Sequence, residues 1–467
     1  MNPDQQEKRK FAGDAVSSLL NSVFSIIKGP LLLLLIPLFL SETVQGYWFT
    51  FGSLAALGTF ADLGFTTIVA QFSAHEYAHL SFNDRGLLVG DKAHLERIIS
   101  LFRFIVKWAV VVTAVAFPIV FGVGVVVLNT HGNIGDWIIP WVLYVVATGF
   151  NFIINSLLSF FEGCGQIGKI QRNRLFGNMV LTATTCALLI LKFSLYTLAI
   201  SALAGVAVNA VLLLVRFSKP FFHMLRVKIE SGYKWFKEFM RLIWRYAISW
   251  GSGYFIFQIY TPIAFAVYDP ALAGKVGITI TLIQACFTIS WVWLNIVTPR
   301  VNMNISKGNW KIAENQIYKN ILLSVGTFIV GAACILGGYA IFISRLSILQ
   351  RFLGLGAMSF LLGAYFLQLP IAGIAMYGRA HKREPFMIPS VINALLGLGI
   401  TLLCAFTLPI DYLFMGFLLS NIVGLFIFIV MFIKRKKYWN QSYAQKYINV
   451  PGSASTEVKE TEKSPLA

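Results

Sequence analysis

Lys28 stands inside the apolar stretch 15–40, twelve residues before its end and about 18 Å down a helix. A charge at that depth costs roughly 3 kcal/mol on insertion scales, so it faces protein or water rather than lipid. Its ammonium suits an anionic ligand in a cavity, or a carboxylate paired for structure alone. Pro30, two residues on, removes a backbone donor and predicts a bend beside the charge. Asp62, within TFADLGFTT, is the other charge at membrane depth, open to ion coupling or to pairing with Lys28. Gly64, two residues on, suits close helix approach. Arg103 and Lys107 lie four apart on one helix face and, with Arg97, form a basic ladder. That ladder can attract a phosphorylated headgroup or snorkel to lipid phosphates. Residues 75–79 read HEYAH, a formal match to the zinc-protease helix, with His94 or Glu96 as a third ligand. The metzincin extension is missing and the motif sits at a span exit, so it reads as a boundary cluster. No catalytic residue, metal site or cofactor is expected.

These residues need elements that hold charge inside an apolar phase. Of the 467 residues, 57% are hydrophobic and 12% charged, a balance foreign to soluble domains. A span needs about 20 apolar residues. Twelve stretches qualify: 15–40, 44–73, 98–128, 137–161, 175–191, 195–216, 246–268, 273–298, 317–343, 352–377, 386–408 and 411–433. The expected fold class is an all-α polytopic membrane protein, with twelve transmembrane helices in two six-helix bundles around a central cavity.

The net charge of +18 could suggest nucleic acid, but its placement argues against that partner. Of 38 Lys and Arg, 32 fall at the termini and in alternate loops, while the opposite loops hold Lys192, Lys275, Arg345 and Arg351. Basic loops stay cytoplasmic. Both termini are therefore expected inside, as an even span count requires. Arg172, Arg174, Arg379, Lys382 and Arg383 read as orientation charges. The five cysteines lie in or near spans and suggest no disulfide framework. No removable signal peptide is read, and the polar tail from Ser453 is expected to be disordered. No phosphate-cradling loop is visible, and no large outer loop could house an active site, so an enzyme is not expected.

Four segments follow: an N-terminal six-helix bundle (1–216), a cytoplasmic amphipathic linker (217–245), a C-terminal six-helix bundle (246–433) and a basic tail (434–467). In the linker, Lys234, Lys237, Arg241 and Arg245 share a helix face suited to an anionic leaflet, or simply to anchoring. The halves look related. SETVQG (41–46) matches DPALAG (269–274), and EGCGQIGKIQRNR (162–174) matches YGRAHKREP (377–385). A repeat of this kind places a substrate site between the halves.

The stretch 30–76, with its LS-x₄-GYW turn and DLGF, together with the basic loop 162–174, resembles bacterial polysaccharide-repeat-unit flippases. These are O-antigen and capsule exporters of the multidrug/oligosaccharidyl-lipid/polysaccharide superfamily. The resemblance covers residues 12–435. It implies two bundles forming a V around a cationic cavity in the bacterial inner membrane. It implies an undecaprenyl-pyrophosphate-linked oligosaccharide as cargo, with membrane lipids, a polysaccharide polymerase and chain-length proteins as partners. Lys28 best matches the cationic cavity, whereas the corresponding region around Phe257 and Gln258 carries no charge. A sugar–pyrophosphate headgroup needs a wet, polar path. Tyr254, Gln258, Tyr260, Gln284, Trp291, Trp293, Asn295, Gln368 and Tyr377 can supply it, or serve as interhelical bonds and anchors. With Lys28, Arg103 and Lys107, the candidate substrate-binding set includes Gln258 and Tyr260. Three rivals remain: a multidrug exporter of organic cations, a membrane metalloprotease and a flippase for a peptidoglycan precursor.

Overall fold

Ser41 and Asp269 begin two helices in the same way. The Ser41 hydroxyl accepts the Val44 N–H at 3.3 Å, and the Asp269 carboxylate accepts the Leu272 N–H at 2.7 Å. Each cap stands five residues before a glycine, Gly46 or Gly274, and the two helices cross at those glycines. A Cβ on Gly46 would collide with the Pro270 carbonyl, and one on Gly274 would lie 2.9 Å from the Glu42 carbonyl. The matched segments of the two halves thus meet each other across the molecule.

The computed structural model describes residues 3–83, 85–229, 233–381 and 385–445. The first half contains α1 (Pro3–Phe39), α2 (Glu42–Ala55), α3 (Thr59–Asp62), α4 (Phe65–Tyr77), α5 (Lys92–Leu128), α6 (Ile134–Gly163), α7 (Ile167–Ile190) and α8 (Tyr196–Arg226). The second contains α9 (Trp235–Phe257), α10 (Tyr260–Val267), α11 (Pro270–Ser306), α12 (Trp310–Phe342), α13 (Leu355–Ala380), α14 (Met387–Thr407) and α15 (Met415–Tyr443). Among the described residues, ten helical segments are long and apolar enough to cross a membrane. The expected spans 175–191 and 246–268 fall on α7 and on the α9–α10 pair. The chain is a multi-pass membrane protein, and its twelve crossings form two six-crossing bundles.

Several details differ from the sequence reading. The second span is not one helix. Leu63 and Gly64 take positive φ values of 44° and 78° and separate α3 from α4. Gly64 serves this break rather than close helix approach, because only a residue lacking Cβ enters that region freely. The seventh span breaks at Gln258–Ile259, between α9 and α10. The first span, α1, keeps Pro30 and Pro37 inside one helix. The 217–245 stretch is shared: α8 continues to Arg226 after a non-helical Phe217, and α9 begins at Trp235. Residues 80–90 form a short hairpin, Leu80–Phe82 against Leu88–Gly90. Lys382, Arg383 and the tail from Ser453 lie outside the described residues, as do the side chains of Arg241 and Arg245.

The bundles bury large aromatics. Trp137, Trp141, Phe102 and Phe160 pack in the first, and Tyr260 and Tyr365 in the second. Each fully buried side chain of this size contributes roughly 1.5–3 kcal/mol in water, but within lipid packing replaces that driving force. The start of α9 lies on the first bundle, with Phe239 4.9 Å from Phe72 and from Phe104 between ring centroids.

Candidate functional site

Two of the protein's polar cavities lie inside the helical mass. One, of about 230 Å³, sits where the halves meet, beneath the α2–α11 crossing. Trp48, Phe49, Gly52 and Ser53 line it from α2, and Tyr144 and Leu198 from α6 and α8. Gln258 and Thr261 come from the α9–α10 break, and Thr281 and Gln284 from α11. No charged residue lines it. Its lining is amide, hydroxyl and aromatic, a set that hydrogen-bonds and stacks on neutral polar ligands.

Above it, on the side away from the chain termini, the crossing is sealed. The Gln45 side-chain amide donates to the Gly274 carbonyl at 3.0 Å. Lys275 and Arg351 reach Glu42 at 4.0 and 3.7 Å. Tyr47 packs edge-on against Phe265 at 4.9 Å and donates to the His131 carbonyl. Phe49 fills the space a Cβ on Gly277 would need.

The second cavity, about 390 Å³, lies within the first bundle. Asp62 borders it, with Thr59 and Thr66, Thr148, Asn151, Asn155 and Ser159 of α6, and Arg174 of α7. Asp62 accepts the Thr66 N–H at 3.0 Å and its hydroxyl at 3.1 Å, so its carboxylate caps α4 just past the break. Sequence reasoning missed the α6 residues. Their signal was legible: positions 148, 151, 155 and 159 recur at spacings of three and four, a polar stripe on an apolar helix.

Lys28 is half-buried, and no described residue forms a hydrogen bond or ion pair with it. It makes no pair with Asp62, so the structural pairing considered above is absent. On α1 it shares a face with Asn21, bonded to Gln171 of α7 at 3.0 Å, and with Leu32, packed in the cluster of Trp48 and Leu189. That face packs on the first bundle at Asn21 and Leu32, and Lys28 itself lines neither of the two cavities.

The remaining candidates do not converge on Lys28. Arg103 donates to the Met224 carbonyl at 2.9 Å and to the Val227 carbonyl, which ties it to the end of α8. Lys107 is exposed. Tyr260 is fully buried between Phe414 and Phe417, away from open space. Gln258 does line the cavity between the halves, as does Gln284. Trp291 and Trp293 donate instead to Asn295 and Thr327, each at 2.9 Å, and Tyr377 to buried Asn440 at 2.9 Å.

The HEYAH residues are not arranged as a zinc centre in this structure. Glu76 is buried, held by Arg97 at 2.9 Å and His94 at 2.8 Å. His75 points outward, its side chain 74% exposed, and His79 stacks on His94 at 4.0 Å. Glu76 is thus engaged in an ion pair rather than turned toward open space. Among the described residues, no group of three His, Cys, Asp or Glu is placed to hold a metal ion.

No protein-family model matches the sequence, and no curated protein matches it. Solved structures match along nearly its whole length. An inward-facing multidrug-resistance MATE family transporter of the MOP superfamily superposes with a TM-score of 0.59 at 11% identity, over 90% of this chain and 96% of that one. The lipid II flippase MurJ, in an inward closed conformation, gives 0.60 at 11% identity, over 93% and 90%. A MOP-superfamily transporter from Pyrococcus furiosus, described as having a binding pocket of reverse polarity, gives 0.54 at 12%, over 92% and 96%. Twelve crossings in two bundles, met at a glycine-lined crossing, give this chain the fold of the MOP-superfamily transporters.

Proposed function

We propose that this protein is a flippase that turns a lipid-linked oligosaccharide across the bacterial cytoplasmic membrane by alternating access. The observation that carries the reading is the cavity between the halves, lined by Gln258, Gln284, Ser53, Thr281, Trp48 and Tyr144 and by no charged residue. Amides and hydroxyls replace the water a sugar loses, and aromatic rings cover its apolar faces. Lys28, inside the membrane with no partner of its own, is the group available to a pyrophosphate. The polyprenyl chain remains in lipid while the headgroup passes. The cargo we favour is an undecaprenyl-pyrophosphate repeat unit of O-antigen or capsule; the solved flippase of similar fold is one for lipid II.

The distribution of Lys and Arg puts the termini and the basic loops in the cytoplasm. The sealed α2–α11 crossing is then the external gate, closed in this state. A polymerase and chain-length proteins would receive the cargo outside. One observation favours a second reading, organic-cation export: Asp62 places a carboxylate in the cavity of the first bundle. That carboxylate already caps α4, so we rank this reading second.

Trp48 lies in the cavity and reports on it. Titrating purified protein with undecaprenyl-pyrophosphate oligosaccharide should quench tryptophan emission, and Trp48→Phe should lose most of the change. Gln258→Ala/Gln284→Ala should weaken binding about tenfold or more, the value of one to two lost hydrogen bonds. Tight binding of a lipophilic cation, with none of the oligosaccharide lipid, would favour export instead.

A further inference from the structure

A third cavity, of about 410 Å³, opens away from the interface between the halves, at the terminal side of the first bundle. It is lined by four cations from three elements: Arg85 at the tip of the 80–90 hairpin, Lys169 at the start of α7, and Arg216 and Lys219 on α8. The α8 helix breaks regularity at Phe217 (φ −126°, ψ 17°), between Arg216 and Lys219. Arg216 is fixed by donation to the Lys169 carbonyl at 2.9 Å and to the Asn173 side-chain oxygen. The Lys169 ammonium stands 6.0 Å from the Phe217 ring centroid. Among the described residues, no carboxylate lies within 4.0 Å of any of the four. Like charges gathered around one hollow repel, and an anion seated among them relieves the repulsion.

We infer that this cavity is a binding site for the phosphate-bearing headgroup of an anionic lipid. Phosphate accepts hydrogen bonds from several Lys and Arg donors at once and concentrates charge where they converge. A lipid is favoured over free phosphate by Val215, which lines the same cavity and is 73% exposed on a membrane-crossing helix. Val215 ends the 195–216 crossing, so the mouth opens beside the headgroup layer, and a headgroup enters without leaving its membrane. Clustered basic residues at the inner surface attract anionic lipid in this way. The inference does not depend on which cargo is carried.

The test uses the detergent-purified full-length chain and native mass spectrometry, with dihexanoyl phosphatidylglycerol, dihexanoyl phosphatidylcholine and glycerol 1-phosphate as probes. The wild type should retain phosphatidylglycerol in preference to phosphatidylcholine. Lys169→Gln/Lys219→Gln should weaken that retention about tenfold or more, Lys169→Arg/Lys219→Arg should keep it, and Arg300→Gln/Lys307→Gln in the second bundle should change it less than about twofold. Arg85→Gln, at an exposed hairpin tip, should weaken retention even if the double variant fails to fold. Equal retention by wild type, Arg85→Gln and the glutamine pair would overturn the site. Binding of glycerol 1-phosphate as tight as that of the lipid would overturn the lipid assignment.

Discussion

Lys28 and Asp62 are both charges at membrane depth, yet they meet different fates. Asp62 spends its oxygens on the first turn of α4. Asp62→Ala should cost about 1 kcal/mol and lower the melting temperature, while Asp62→Asn, which can still accept the bond, should cost less. Glu76 shows the same logic at the boundary. Glu76→Gln would leave Arg97 facing a neutral amide at a buried site, with an expected loss of about 1–3 kcal/mol. Thermal unfolding of both variants measures these losses, and unchanged melting would show the two carboxylates to be idle. Lys28 is the charge with no structural partner, which is why its chemistry is assigned to the cargo.

At the scale of elements, the α2–α11 crossing carries the most information. Gly46 and Gly274 allow the backbones to touch, and any side chain at Gly46 must push Pro270 away. Gly46→Leu should hold the crossing apart. Spin labels placed at residues 131 and 408 should then report a longer distance than in wild type; an unchanged distance would mean the crossing does not gate. Conversely, Glu42→Cys/Lys275→Cys should cross-link on oxidation and stop transport until reduced. The likeness of SETVQG and DPALAG was legible in the sequence, and their shared cap-to-glycine spacing reflects a physical need, but that the two segments cross each other required the fold. The breaks at Leu63–Gly64 and Gln258–Ile259 were not legible. Leu63 carries no sign in its side chain that its φ is positive. The alternative of a Lys28–Asp62 pair failed because reach along a helix does not fix where two helices face. The α6 stripe was readable by spacing alone, whereas the burial of Tyr260 between phenylalanines required the fold.

On the scale of the whole molecule, two bundles meet on one side at small residues and enclose a neutral polar hollow at their interface. Such an arrangement allows one bundle to rock against the other while a site between them changes its exposure. In the proposed account the duties separate: the hollow takes the sugar, Lys28 the charge, and the basic cavity of the first bundle a surrounding lipid. The most direct measurement is the transfer of fluorescent undecaprenyl-pyrophosphate oligosaccharide between leaflets of vesicles containing the purified protein. The account predicts transfer by wild type and Lys28→Arg, and a loss of about tenfold or more in correctly inserted Lys28→Ala, as expected when a charged hydrogen-bond donor is removed. Equal transfer by wild type and Lys28→Ala, or no transfer above empty vesicles, would contradict it.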